Sequence, residues 1–103
     1  MNRTIKLEPS EIYTFKLVSG EELIARLVEI GTDFYELESP IGVVLSPQGL
    51  QMVPSLFSSV QEKNVLLNKN ACAMISEPRE DVNHGWIQAT TGITPVTRKI
   101  ITG

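Results

Sequence analysis

The side chains with chemistry to offer are few and scattered. Glu36 and Glu38 are spaced two apart, which puts both carboxylates on one face of an extended strand. A carboxylate pair can share general acid–base work. Neither a base partner nor a metal-ligand spacing accompanies them, so they read as a solvated or intersubunit face. His84 is the only histidine. It has the chemistry of a base, or of a metal ligand contributed once per subunit, but a surface helix position is the plainer reading. Cys72 is the only cysteine, so one chain can form neither a disulfide nor a zinc site with two thiolates. A single thiol fits a reducing compartment and predicts a cytoplasmic protein. No glycine-rich phosphate loop, Ser-His-Asp arrangement or Cys/His ligand spacing occurs. These residues predict a protein that is not an enzyme and takes no cofactor and no metal.

The 103 residues suit a single domain with one thin core, of the size that oligomerisation often supports. A net charge of −3 argues against a protein that grips duplex DNA over its whole surface, since that requires many phosphate-neutralising cations. It leaves room for a local basic patch. The first residues lack the apolar core of a signal peptide, and no apolar run reaches the ~20 residues of a membrane helix.

The elements that must position any site are short strands. In residues 11–18, Tyr13, Phe15 and Leu17 alternate with Thr14, Lys16 and Val18, the period of a half-buried strand. Gly20 marks a turn. Leu23, Ala25 and Leu27 then form one face of a second strand, and pairing Leu17 opposite Leu23 predicts an odd, three-residue loop. The other face, Ile24, Arg26 and Val28, is too apolar for free solvent, which predicts burial in a curved barrel or at a subunit contact. Residues 34–45 supply a third strand with a bend or break at Pro40 and Gly42. Residues 50–57 supply a fourth, interrupted by Pro54. Residues 65–67 and 71–75 flank the polar turn Asn68-Lys69-Asn70. A helix follows over about 77–91: Ser76 or Glu77 caps it, Pro78 suits its first turn, and Val82, Trp86 and Ala89 share a face. Trp86 is the natural anchor of this helix on the sheet. Consecutive hairpins and one helix predict a mainly β fold, a small antiparallel barrel over residues 11–76, the helix, and a tail over 92–103.

The run from Phe15 to Leu27, with Leu17, Gly20, Leu23, Ala25 and Leu27 at alternating apolar, turn and small places, resembles the first half of the first Sm motif. The run from Val65 to Ile75, a short strand, a tight polar turn and a final strand, is similar in layout to the second. Leu37 to Pro40, Pro47-Gln48-Gly49-Leu50, Met52-Val53-Pro54 and Glu77-Pro78 add a likeness to small Sm-like proteins of tailed phages that infect marine bacteria. This resemblance spans roughly residues 12–92. It implies a bent five-stranded barrel that closes into a homo-oligomeric ring of roughly five to seven copies by pairing edge strands, which satisfies backbone groups left open at the sheet borders. On this reading Leu50, Met52, Leu56, Cys72 and Met74 lie at the oligomer interface.

The same resemblance implies single-stranded RNA as a partner at the inner rim. Phe34 and Tyr35 fall where the family places its base-contact loop, and an aromatic there can stack a base. Asn68 and Lys69 fall in the second rim turn, where one Lys per chain becomes a ring of positive charge. Ordinary strand residues and an ordinary polar turn are the alternative reading of all four. Arg98 and Lys99 offer a basic arm or a solvated end. The family's Asp-x-x-Met-Asn run is missing from residues 31–35 and its Arg-Gly pair from the second turn. The expected function is therefore RNA binding or RNA metabolism by a ring; the alternative is a structural or adaptor ring of a phage particle or host complex, without nucleic acid.

Overall fold

The computed structural model describes residues 4–60 and 62–91; the tail 92–103, with Arg98 and Lys99, lies outside the described residues. Strand β1 (Ile12–Leu17) is followed by β2 (Glu22–Ile30), β3 (Phe34–Ser46), β4 (Gly49–Pro54), β5 (Val65–Asn68), a 3-10 turn at Lys69–Ala71, β6 (Cys72–Ser76) and helix α1 (Glu80–Thr91). All pairings are antiparallel, in the order β4-β3-β2-β1-β6, with β5 also on β3. The mainly β reading with one C-terminal helix holds. The five-strand count does not: there are six. The sheet is also open, because no ladder among the described residues joins β4 to β6.

The β1–β2 turn has three residues, as predicted. The Leu17 N–H donates to the Glu21 carbonyl at 2.7 Å and the Gly20 N–H to the Leu17 carbonyl at 2.9 Å, with Gly20 at φ +99°. The register differs from the expected one. Phe15, not Leu17, stands opposite Leu23, because the loop closes on the Leu17–Glu21 pair. The face assignment survives, since a shift of two residues keeps each side chain on its side. Tyr13, Phe15, Leu23, Ala25, Leu27 and Leu37 form the main buried cluster. Each large side chain in it contributes roughly 1.5–3 kcal/mol by leaving water.

At the Ile24 end of the second apolar face of β2 the cover is helix α1: Ile24 is buried with Val43, Val82 and Trp86, and Ile12, Ile41 and Met52 pack around them. Val82 and Trp86 are one helical turn apart and point the same way. The indole N–H of Trp86 donates to the Ser39 carbonyl at 2.8 Å. The helix starts at Glu80, three residues after the expected Glu77, because the residue before Pro78 is kept extended. Ala89, assigned to the buried face, is exposed.

Pro40 does not break β3. It sits where β3 changes partners, between residues 34–37 paired with β5 and residues 41–46 paired with β4. Its missing N–H is therefore not needed by either ladder. The β2–β3 register shifts at the same place, between Ile24 and Arg26, and Ser39 adopts φ +53°. Strand β4 ends at Pro54 instead of reaching Phe57. The six strands match the six segments marked by the alternation, and it is the count of five implied by the resemblance that fails.

Gly85 faces Met52. A Cβ there would lie 2.8 Å from Met52 Cε, the movable end of a flexible side chain. Replacing Gly by Ala in a helix gains about 1 kcal/mol. Gly85→Ala is therefore expected to change the unfolding free energy by less than about 1 kcal/mol in the parental chain, and to give a clear gain in the Met52→Ala background relative to Met52→Ala alone. Urea titration of the four variants checks this; a loss in Gly85→Ala that persists with Met52→Ala would mean that backbone, not Met52, limits the approach.

Candidate nucleic-acid interface

The four residues expected at a rim do converge. Phe34 pairs with Asn68 and Tyr35 with Leu67, which brings the start of β3 against the end of β5. The Lys69 N–H donates to the Asp33 carbonyl at 2.9 Å, joining the β2–β3 turn to the 3-10 turn. Asn68 caps that turn, its side-chain oxygen accepting from the Asn70 N–H at 2.8 Å. Capping is what Asn does readily, since its short amide reaches the backbone two residues on.

They do not, however, share a face. Tyr35 turns inward, its ring 6.1 Å from that of Phe15. The Lys69 ammonium lies 5.3 Å from the Tyr35 ring centroid, a cation–π contact. Together they border a shallow hollow with Ile5, Leu7, Cys72 and Met74. Phe34, one residue earlier, necessarily points to the opposite side, where Asn68 lies beside it. The inner pair offers an apolar floor and one cation. The outer pair offers an aromatic, 41% exposed, and an amide whose N–H groups have no partner among the described residues.

Burial raises the Tyr35 phenol above its ordinary value, with a smaller push from the neighbouring Cys72. Burial also raises the Cys72 thiol, against a weaker lowering by backbone hydrogen bonding at Met74. The thiolate is the reactive form. Cys72 is therefore expected to react with a disulfide reagent more slowly at neutral pH in the folded chain than in urea, and faster as the pH is raised. Equal rates in both states would contradict its partial burial.

The expected interface residues fall into three groups. Leu50 on β4 and Met74 on β6 are exposed at the two ends of the sheet, Met74 by 65%. Met52 and Cys72 are partly buried, Met52 under α1 and Cys72 against the main cluster. Leu56 is not on a strand: past Pro54 it lines a cleft with Val60 and Ala89. Glu36 and Glu38 do share a face, as expected. Glu38 pairs with Arg26 at 3.6 Å, whereas Glu36 stands opposite Glu29. His84 is exposed on α1. No cluster of metal-ligating side chains occurs among the described residues.

Sequence reasoning missed Glu29 and Leu66, which flank Phe34 on the outer face. Alternation in Val65-Leu66-Leu67 was the available signal for Leu66, since Val65 and Leu67 cannot turn inward without sending it out. No family model matches the chain, and no curated protein matches its sequence.

Proposed function

We propose that the chain is the subunit of an Sm-like ring that binds single-stranded RNA at its rim. The observation that carries this reading is the pair of open sheet edges, β4 and β6, with Leu50 and Met74 exposed on them. An unpaired edge is a template for another chain. Pairing β4 of one copy with β6 of the next satisfies those two edges when the rotation closes; β5 pairs with β3 alone. The polar turn between β5 and β6 and the edge positions of β4 and β6 support this reading, and closing the barrel belongs to the same proposal. Light scattering is expected to give a native mass roughly five to seven times the 11.4 kDa chain. A monomer at high concentration ends the ring reading.

Support for RNA comes from the inner pair, Tyr35 with Lys69, repeated once per copy around such a ring. Fluorescence anisotropy with U-rich, A-rich and random oligonucleotides, at low and moderate salt, is expected to show binding that weakens with salt. Lys69→Gln should weaken it for every sequence and flatten the salt dependence. Binding no tighter than about micromolar at either salt removes RNA from the proposal.

An adaptor ring without nucleic acid is the second reading. It is favoured by the apolar side chains left outside the sheet, Leu56 and Phe57 among them, the latter 90% exposed, on a chain of net charge −3. Pull-down with and without ribonuclease separates the two: partners lost on ribonuclease treatment count against the adaptor. No helix among the described residues is long and apolar enough to cross a membrane.

A further inference from the structure

We infer that the half of the outer sheet face left bare by α1 is a docking surface for a cationic, apolar peptide segment of a protein partner. Helix α1 covers Ile24, Ile41, Val43 and Met52. Beyond the Arg26–Glu38 pair the same face continues, and no element among the described residues lies over it. One row runs Glu29–Glu36–Leu66 across β2, β3 and β5, and the next holds Phe34 beside Asn68. Leu66 is 62% exposed and Phe34 41%.

The charges on this face are unbalanced. Glu29 and Glu36 stand directly opposite each other, and like charges in that position repel. Among the described residues neither carboxylate is ion-paired; Glu36 receives only the Asn64 amide, at 2.8 Å. A guanidinium placed between the two would relieve the repulsion and, with its planar fork, bond both. A branched apolar side chain next to it in the partner would cover Phe34 and Leu66. The free amide N–H groups of Asn68 can meet a carbonyl of the partner backbone. Phosphate is the wrong charge for this face, so the surface selects a peptide and not RNA. It lies on the opposite side from Tyr35 and Lys69; Leu66 and Asn68 belong to β5, which pairs with β3 alone, whereas the ring reading uses the edges of β4 and β6. The inference rests on the protein-partner reading and is independent of RNA binding.

The test uses a fluorescein-labelled hexapeptide of alternating arginine and isoleucine, its glutamate counterpart, and a U-rich oligonucleotide as competitor. The full chain is expected to bind the basic peptide with a Kd of tens of micromolar and to ignore the acidic one. Glu29→Gln with Glu36→Gln, which removes a repulsion and so does not threaten folding, should weaken binding at least tenfold. Leu66→Ser should weaken it as well. Glu21→Gln with Glu22→Gln removes the same charge at the β1–β2 turn and should leave the Kd within twofold. Absence of binding, equal loss in both double variants, or displacement of the peptide by RNA from the Phe34 face would each overturn the inference. Light scattering on the same samples keeps the readings apart: lost peptide binding with unchanged mass counts against the docking surface and not against the ring.

Discussion

Trp86→Ala is expected to lower the unfolding free energy by about 3–5 kcal/mol, the usual range for removing a large buried aromatic. That is a large fraction of the stability of a chain this size. The residue is 2% exposed and fills the space between α1 and the β2–β3–β4 surface, against Ile24 and Val43. Arg26 lies over its ring, 5.2 Å from the centroid, and that contact goes with it. Its loss also orphans the Ser39 carbonyl. Trp86→Phe separates the two contributions. It keeps most of the burial but drops the N–H, and is expected to cost about 1–3 kcal/mol. Urea titration followed by far-ultraviolet circular dichroism reads both. A loss below about 1 kcal/mol in Trp86→Ala would mean that the helix is not what seals the second apolar face.

The second large effect is on assembly. Met74→Asp and Leu50→Asp are each expected to reduce the native mass to that of a single chain. Both side chains are exposed at the ends of the sheet, so neither substitution opens a cavity in the monomer. Surface changes of that kind usually alter stability by no more than about 0.5 kcal/mol. A carboxylate buried against a neighbouring strand without a partner is far more costly. Leu56→Asp is the control. It lies off β4, past Pro54, and should leave the mass unchanged. Size-exclusion with light scattering reports all three. If Met74→Asp and Leu50→Asp retain the parental mass while Leu56→Asp does not, the contact lies at the loop and not at the sheet edges.

The parts of the fold legible in the sequence are those with a strict local period. Tyr13 and Phe15 on β1, then Leu23, Ala25 and Leu27 on β2, alternate without exception, so one buried face follows directly. Val82 and Trp86 give the helix its direction in the same way. What escaped depends on distant partners. Whether Pro40 ends a strand turns on which neighbour needs its N–H, and β3 changes neighbours there. The cover over Ile24 comes from residues about 60 positions away.

The candidate site was legible as a place and not as a surface. The turns at 31–33 and 69–71 come to one end of the sheet because β3 and β5 pair from Phe34 and Asn68 inward. Adjacent strand residues must face opposite ways, so Phe34 and Tyr35 could never act together on one base from the same strand. The opposition of Glu29 and Glu36 depends on the register shift between Leu27 and Glu29, which no local pattern announces.

Ser39 holds a left-handed backbone that a residue with a side chain adopts only at some cost, and its carbonyl is taken by the indole of Trp86. Undocking the helix would release that constraint and free the kink to relax toward ordinary extended geometry. The kink and the helix thus behave as one latch. Amide protons of α1 and of the chain around Ser39 should exchange with solvent in a single cooperative opening, while those of β1 and β2 report the slower unfolding of the whole.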